Sequence, residues 1–291
     1  MDVALATSSE VPDLHPEDGL LIAALARRGL RARPFVWDRD PVPATAAILL
    51  RSVWDYHLRL PEFLLWVERE AARRPFWNPP ALVAWNARKT YLRDLEARGV
   101  PIIPTLWAAR GAAFDLAAEL RRRGWRDVVI KPVVSASAHG TARHREGASP
   151  EARAHLAALT AAGDAMIQPF QPAVDAYGER SLLVLGGKVT HAVKRPAVLA
   201  PEYDGVEVAP RVEPSEAEIA LARRVLSALA ELHPAAGEPL PLPLYARVDM
   251  TPDAEGRPRL MELELIEPRL FFEEAPEAAE RLADALAARL G

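Results

Sequence analysis

The feature that most constrains the fold is a change of pattern along the chain. In residues 1–85, short apolar runs alternate with helical spacing: DVALAT, PEDGLLIAALARRGL with Gly29 as a helix stop, RPFVW, AAILL, and a helix that has Pro61 in its first turn. This β-α-β-β-α order predicts a small α/β domain that ends near NPPALVAW.

The middle of the chain, residues 86–165, mixes helices with single strands. ARKTYLRDLEARG predicts a helix that ends at Gly99, and SPEARAHLAALTAAG predicts one with Ser149 as N-cap and Pro150 next to it. RDVVIKP predicts a strand, SASAHGT a turn of small residues, ARHRE a returning strand and DAMIQPF a further strand. We expect a central subdomain here.

Hairpins dominate the last third, residues 166–291. RSLLVLGGKVTHAVKR places Gly186 and Gly187 between two apolar runs, which is a strong hairpin pattern. LYARVDM and PRLMELELIE, separated by TPDAEGR, predict a second hairpin, with an amphipathic helix on either side. The whole order predicts an α/β (α+β) fold whose C-terminal part is an antiparallel sheet.

Composition excludes several classes of protein. A net charge of −4 and a pI near 6.0 give no footprint for nucleic acid. No apolar stretch approaches the roughly 20 residues of a membrane span, and MDVALATSSE lacks the pattern of a signal peptide. The absence of cysteine excludes disulfides, thiolate metal sites and thiol nucleophiles. We expect a soluble cytoplasmic protein without nucleic-acid or membrane partners, and a homo-oligomer stays open.

Lysine is nearly absent, which makes its positions informative. Of 36 basic residues only four are lysine, namely Lys89, Lys131, Lys188 and Lys194. Lys131 ends a strand just before the small-residue turn, Lys89 falls in the first turn of its predicted helix, and Lys194 ends a hairpin strand. Each alone is explained as a surface cation, but their joint position at element ends favours phosphate binding. The glycine spacing of a P-loop is absent.

The last predicted hairpin gathers acidic side chains. If it turns around residues 253–257, Asp249 comes near Leu260 and Arg247 near Glu262, within one or two residues of register. Alternation places Glu262 and Glu264 on one face, and Met261, Leu263 and Leu265 on the other. The acidic face is either solvated, with Arg247 paired to a glutamate, or a set of oxygen ligands for Mg²⁺.

An ordered series of segments resembles the ATP-grasp ligase family. The series is WNARKTYLRDLEARGVPIIPT, VVIKPVVSASAHGT, MIQPFQP, GERSLLVLGGKVTHAVKRP, RVDM and MELELIEP, and it spans about residues 86–271. LLRSVWDYHLRLPEF also resembles the glutathione-synthetase-like bacterial branch, which contains the cycloserine-forming cyclising ligase. The resemblance implies an ATP-grasp fold with a substrate-side domain (1–85), a central lid subdomain (86–165) and a C-terminal subdomain with the metal site (166–291).

The resemblance also implies how ATP is bound. Lys89 and Lys131 would bind its α- and β-phosphates, and Glu179 would receive the ribose hydroxyls. The linker that holds adenine would be Gln168, Pro169, Phe170 and Gln171. The loop at residues 135–141 would close over the triphosphate with Ser135, Ser137, His139 and Gly140.

Metal ligands and transition-state cations follow from the same resemblance. Asp249, Glu262 and Glu264 would hold two Mg²⁺ ions, for which Mn²⁺ can substitute, although many relatives carry asparagine at the position of Glu264. The cations that stabilise the transferred phosphoryl group would be Lys194, Arg195 and Arg247. Arg269 stands where a serine-like residue is expected.

The implied reaction is carboxylate activation. A substrate carboxylate would attack ATP to give an acyl phosphate, and an amine-type nucleophile would displace phosphate, either within the same small amino-acid-like molecule or from another. The candidate substrate residues are Arg51, Trp54, Asp55 and Tyr56, which otherwise form an ordinary strand-end loop. Two alternatives are an inactive ATP-binding regulatory module and a small-molecule kinase. The seven histidines show no metal-ligand spacing.

Overall fold

The computed structural model describes residues 2–43, 46–196, 199, 208–232 and 240–290. The first part of the chain forms a four-stranded parallel sheet in the order β2-β1-β3-β4, within the small α/β domain that the sequence predicts. A short 3₁₀ turn at Tyr56–Arg59 leads into α2. The elements are β1 (Asp2–Thr7), α1 (Asp18–Arg27), β2 (Arg31–Val36), β3 (Ala46–Ser52), α2 (Leu60–Ala71) and β4 (Phe76–Trp77).

The central sheet is antiparallel and has the order β5-β8-β6-β7. Its strands are β5 (Leu106–Ala108), β6 (Val128–Pro132), β7 (Ala142–His144) and β8 (Ala165–Pro169), and its helices are α5 (Leu116–Arg123) and α6 (Pro150–Ala162). The preceding helices α3 (Pro80–Asn86) and α4 (Tyr91–Ala97) contribute to the core of the C-terminal sheet. Ser149 caps α6 as predicted, because its side chain accepts from Ala152 N. Since β8 pairs with β5 and β6, the predicted boundary after residue 165 passes through this sheet.

Lys89 is not in the first turn of a helix, contrary to the sequence-based prediction. It lies in the turn between α3 and α4, and α4 begins only at Tyr91. The backbone N–H of Lys89 donates to Val133 O at 2.9 Å, which ties this turn to the end of β6. A tertiary hydrogen bond, rather than helix geometry, therefore positions the lysine.

The C-terminal sheet is antiparallel and has the order β11-β10-β9-β12-β13. The Gly186–Gly187 turn joins β9 to β10 with positive φ at both glycines, as a two-residue hairpin requires. The elements are α7 (Ala173–Tyr177), β9 (Glu179–Leu185), β10 (Lys188–Arg195), β11 (Arg211–Val212), α8 (Glu216–Ala230), β12 (Tyr245–Pro252), β13 (Pro258–Glu264) and α9 (Pro276–Leu290).

The register of the last hairpin differs from the expected one by two residues. Arg247 pairs with Glu264 and Asp249 with Glu262, whereas Met250 pairs with Leu260. A bulge therefore leaves Met261 without an opposite residue and turns its side chain to the cleft rather than to the apolar side. Leu260, Leu263 and Leu265 remain in the core, so the bulge preserves the burial of the apolar face.

The first and last parts of the chain share one core. Leu5 and Leu21 of the parallel sheet layer are buried in the same cluster as Phe271 and Leu282. The Tyr245 hydroxyl donates towards two backbone oxygens, at 3.0 Å from that of Leu50 and 2.9 Å from that of Ile266. This shared core fixes the β3 end of the parallel sheet beside the last hairpin. None of the helices that the structure describes is long and apolar enough to cross a membrane.

Candidate functional site

A cleft of about 630 Å³ lies where the three sheets meet. This volume lies within the range typical of small-molecule sites. The predicted site residues that line it are Trp54, Lys89, Lys131, Ser135, Ser137, Gln168, Pro169, Phe170, Gln171, Glu179, Arg195, Arg247, Asp249, Glu262 and Glu264. The ordered segments of the sequence thus converge on one place.

Lys89 joins one edge of the cleft to the loop that follows β6. Its buried ammonium donates to Ser135 O at 3.1 Å and to the carboxylate of Glu262. Burial by itself would lower the pKa of Lys89, but Glu262 outweighs it and raises that pKa. Lys89 is therefore held as a cation between the loop and β13.

Lys131 is a cation of a different kind. Its ammonium forms no hydrogen bond or ion pair with the residues that the structure describes, although it lines the cleft. Burial lowers the pKa of Lys131, although Glu262 acts in the opposite direction. An ammonium with no partner among the described residues is well suited to receive an anionic ligand.

Two carboxylates of β12 and β13 form ion pairs with Arg247. Arg247 Nε donates to Asp249 Oδ1 at 2.9 Å, and its Nη2 also contacts Glu264. Burial raises the pKa of Glu264 to about 7, against the influence of Arg247. Burial also opposes ionisation of Asp249 and Glu262, but nearby cations outweigh it and lower both pKa values.

The neighbouring strands β9 and β10 complete this network. Arg195 Nη1 lies 3.1 Å from Asp249 Oδ2 and 3.4 Å from Glu179 Oε2. Ser181 Oγ donates to Asp249 Oδ1 at 2.7 Å, a contact that the sequence analysis missed. Only the β9–β12 pairing brings Ser181 opposite Asp249, so no local pattern could have identified it.

The donor set fits Mg²⁺ in its chemistry. Asp249 and Glu262 are directly opposite on paired strands, where Cβ atoms lie about 5 Å apart, and both supply hard carboxylate oxygens. As placed, no three His, Asp or Glu side chains in the described ranges form a ready metal-binding group. The carboxylates of Glu262 and Glu264 are instead directed towards cations, because Lys89 pairs with Glu262 and Arg247 pairs with Glu264.

At the end of the cleft predicted to hold adenine, some polar groups form hydrogen bonds within the protein. Gln168 donates its side-chain amide to Thr105 Oγ1 at 2.9 Å. The backbone N–H of Phe170 donates to Asp127 O at 2.9 Å. The Phe170 ring packs under the Arg143 guanidinium. Apolar side chains such as Val129 and Met261 provide surfaces against which a flat ring could pack.

The loop at residues 135–141 is only partly in the cleft. Ser135 is buried, whereas Ser137 is exposed and has positive φ together with Ala138. His139 and Gly140 lie outside the cleft lining. His139 instead packs against His57, with ring centroids 5.1 Å apart.

Four further predicted residues do not line the cleft. Arg51 is 2% exposed and binds Asp18 Oδ1 at 2.6 Å and Glu17 Oε1 at 2.9 Å, so a buried ion pair occupies it in place of a substrate. Lys194 Nζ is directed to Ala176 O at 3.4 Å. The other two also have structural contacts: Asp55 accepts from Trp37 Nε1, and Tyr56 packs in the N-terminal core.

Three residues with ionisable side chains line the cleft and were not among the predicted ligands. Glu267 is 8% exposed, and burial together with Glu264 raises the pKa of its carboxyl well above the usual value. His15 packs edge to face against Trp54, and Arg269 pairs with Glu17 and Glu273. Glu267 and Arg269 immediately follow the strand of Glu262 and Glu264, so their position in the chain was the available signal.

Sequence comparison relates the chain to proteins of cycloserine biosynthesis. A family model described as the N-terminal domain of the D-cycloserine synthetase DcsG matches residues 3–78. Over 280 residues the chain is 34% identical to the cycloserine biosynthesis protein DcsG of Streptomyces lavendulae, and the match covers 93% of this chain and 92% of that protein.

Structural comparison leads to related proteins. The crystal structure of D-cycloserine synthetase DcsG matches with a TM-score of 0.86 and 32% identity, over 100% of both chains. At 19% identity, PsnB, an ATP-grasp ligase complexed with a phosphomimetic variant of its minimal precursor, Mg and ADP, matches with a TM-score of 0.65 over 99% of this chain and 98% of that chain. D-alanine–D-alanine ligase of Bacillus anthracis, complexed with ATP, matches with a TM-score of 0.68 and 16% identity over 100% of this chain and 98% of that chain. The last two likenesses concern the fold alone.

Proposed function

Because this chain belongs to the ATP-grasp ligase family, in the branch that contains DcsG, we propose that it activates a carboxylate of a small amino-acid-like substrate and joins it to an amine-type nitrogen. As a member of this family it is an ATP-dependent ligase, and relatives of the same fold bind Mg with ADP, or ATP. Beyond this family activity we propose an acyl-phosphate intermediate, the roles of individual residues and the class of substrate.

One observation carries the proposal: opposite charges from distant segments meet in one cleft. The cations are Lys89, Lys131, Arg195 and Arg247, and the acids are Glu179, Asp249, Glu262 and Glu264. A complex of ATP with a divalent cation carries the complementary pair of charges, since its phosphates suit the cations and its metal suits the carboxylates. The cleft could exchange its internal ion pairs for ligand contacts with little net change in buried charge.

The cations of the cleft would bind and neutralise the phosphates. Lys131 offers an ammonium without a partner among the described residues, and Lys89 has one N–H donor beyond the two that it uses. Arg247 and Arg195 lie next to the acidic shelf, which is formed by the carboxylates of Asp249, Glu262 and Glu264. A planar guanidinium can donate two parallel hydrogen bonds to a phosphoryl group. Such preorganised donors stabilise charge that develops in the transition state.

Asp249, Glu262 and Glu264 are the residues that would hold Mg²⁺. We propose two ions, for which Mn²⁺ can substitute. When bound, the metal neutralises phosphate oxygens and helps to align the reacting groups.

The reaction proceeds in two balanced steps. An oxygen of the substrate carboxylate attacks the γ-phosphorus of ATP. The bond between the γ-phosphorus and the oxygen that bridges it to the β-phosphate breaks, and ADP leaves with the electron pair of that bond. A nitrogen then attacks the acyl carbon, phosphate departs with the electron pair of the C–O bond, and the nitrogen loses a proton. By positioning both groups the cleft lowers the entropic part of the barrier.

Similarity to a D-cycloserine synthetase favours a nitrogen of the same molecule as nucleophile, which closes a ring. A volume of about 630 Å³ suits a nucleotide and a small second substrate better than a peptide. Two alternatives are disfavoured. An inactive ATP-binding module needs neither Lys89 and Lys131 nor the carboxylates, yet both sets are present in the cleft. A kinase would stop after phosphoryl transfer to a hydroxyl.

The test is turnover with a panel of D- and L-amino acids and their O- and N-substituted serine derivatives. We expect Mg²⁺-dependent ADP release, and with hydroxylamine present a hydroxamate from the trapped acyl phosphate. A product lighter than its substrate by one water or one small leaving group identifies ring closure. Nucleotide binding without turnover across the panel would instead support the inactive module, and a stable phosphorylated hydroxyl without hydroxamate would support the kinase.

A further inference from the structure

Glu267 differs from the other carboxylates of the cleft in its surroundings. Its side chain is more than nine-tenths buried, lines the cleft, and forms no hydrogen bond or ion pair with any residue that the structure describes. By contrast, cationic partners engage the four other acids of the cleft, which are Glu179, Asp249, Glu262 and Glu264. The cleft therefore has one acid for which the described chain supplies no counterpart.

A buried carboxylate without a partner is costly in free energy. The described cations that act on Glu267 electrostatically, Lys89 and Arg247, are already bonded to Glu262 and to Asp249 and Glu264. A cationic group of a ligand would satisfy Glu267 without disturbing those pairs. We propose that Glu267 binds the ammonium group of an α-amino-acid substrate, an inference that rests on the proposed function.

The surroundings of Glu267 favour a small ligand. Trp54 donates its indole N–H to the backbone oxygen of Glu267 at 3.1 Å and lines the same part of the cleft. His15 packs against Trp54, with ring centroids 6.1 Å apart, and Arg269 is engaged by Glu17 and Glu273. Three bulky side chains thus enclose this end, and the indole adds a surface that attracts cations.

The position of Glu267 in the chain explains why the ammonium should belong to an α-amino acid. Glu267 follows Glu264 by three residues, so its carboxylate adjoins the acidic shelf beside which the substrate carboxylate is activated. An α-amino acid carries its ammonium and carboxylate on one carbon. Binding of the ammonium by Glu267 would therefore bring the carboxylate next to the phosphate and metal positions. A hydroxy acid of the same shape lacks the charge that Glu267 needs.

The decisive measurement is calorimetric binding in the presence of Mg²⁺ and a non-hydrolysable ATP analogue. The probes are D-serine and D-alanine, each compared with its hydroxy counterpart, D-glycerate and D-lactate. The wild-type protein should prefer the amino acids by about 30-fold, the scale of one charge-assisted hydrogen bond. Glu267→Gln should abolish this preference and Glu267→Asp should retain part of it. Glu255→Gln, which changes an exposed acid outside the cleft lining, serves as the control that leaves it unchanged.

Three results would overturn the assignment: absence of amino-acid binding, equal wild-type affinity for amino and hydroxy acids, or a preference that survives in a folded Glu267→Gln variant. A variant that shifts only the Mg²⁺ dependence would make Glu267 a metal ligand instead. Failure of the proposed function looks different, because amino acids would then bind through Glu267 without ADP release. Conversely, hydroxamate formed equally from amino and hydroxy acids would support the ligase chemistry and refute the assignment of Glu267 to the substrate ammonium.

Discussion

Asp249 and Glu262 lie directly opposite each other across the last hairpin, although the sequence alone suggested a register two residues away. Ser181 holds one of these carboxylates and Lys89 holds the other. The bulge at Met261 creates this pairing, because without it Asp249 would face Met261. A backbone irregularity thus brings two acids together at the centre of the cleft.

Replacing Glu262 by Gln should reduce Mg²⁺-dependent turnover at least about a hundredfold, because the variant loses a carboxylate that would hold the metal. The fold should remain, since the Glu262 side chain is 27% exposed and its amide still accepts from Lys89. Glu255→Gln, in the exposed turn of the same hairpin, is the matched control. Normal turnover in Glu262→Gln at limiting Mg²⁺ would refute the metal role.

Replacing Lys131 by Met should weaken ATP binding by about 10- to 100-fold, because a charge-assisted hydrogen bond to phosphate is lost while the apolar stem is kept. The dissociation constant measured by calorimetry checks this. Lys188→Met is the control, since Lys188 lies exposed at the start of β10, outside the cleft lining. An unchanged dissociation constant for Lys131→Met would contradict its phosphate role.

Replacing Gly178 by Ala should destabilise the protein by about 2 kcal/mol or more and weaken nucleotide binding. Gly178 has a φ of +73°, and an added Cβ would lie 2.6 Å from Arg195 O, so both the backbone and Arg195 would have to shift. Gly163→Ala should be tolerated, because nothing lies within 4 Å of its Cβ position. Urea unfolding of the two variants provides the comparison, and equal stabilities would refute the steric role of Gly178.

Arg51→Met should cost about 3–5 kcal/mol of stability, because Glu17 and Asp18 would lose their buried guanidinium. Arg31→Met removes an exposed pair with Asp2 and should cost at most about 1 kcal/mol. Thermal or urea unfolding distinguishes them. If Arg51→Met kept full stability and raised only the KM of the second substrate, Arg51 would regain the substrate role that its sequence context suggested.

His191 should make the fold sensitive to acid. Burial lowers the pKa of His191 to about 4, although its hydrogen bond to Leu270 O acts in the opposite direction. A depressed histidine pKa stabilises the fold above the unfolded-state value near 6.5, and this contribution is lost as pH falls. Between pH 7 and 5 the loss should be about 2 kcal/mol. The unfolding free energy of His191→Gln, measured in urea, should lack this pH-dependent loss. An identical slope of unfolding free energy against pH in the wild type and the variant would contradict the role of His191.

The sequence predicted most local elements because their signals are local. The capped helix at Ser149 and the Gly186–Gly187 turn each depend on a few adjacent residues. The convergence of Lys89, Lys131 and Glu262 was predicted from the family resemblance, and the fold brings them to one cleft.

Long-range contacts account for what the sequence did not predict. An arginine beside aromatic residues has the same pattern whether it binds substrate or a buried carboxylate, and the partners of Arg51 lie in α1 and just before it. Ser181 meets Asp249 only through strand pairing. The bulge at Met261 exists because Leu260 and Leu263 must both reach the core while Glu262 faces the cleft.

Lys89 makes two parts of the molecule depend on one ammonium group. The same Nζ atom bonds the backbone of the loop at Ser135 and the side chain of Glu262. A phosphate that drew this ammonium away would weaken the anchoring of the loop and uncover a negative charge on β13 at the same moment. Loop mobility and metal affinity would then vary together in this protein, and substitutions at Lys89 and Glu262 would have non-additive effects.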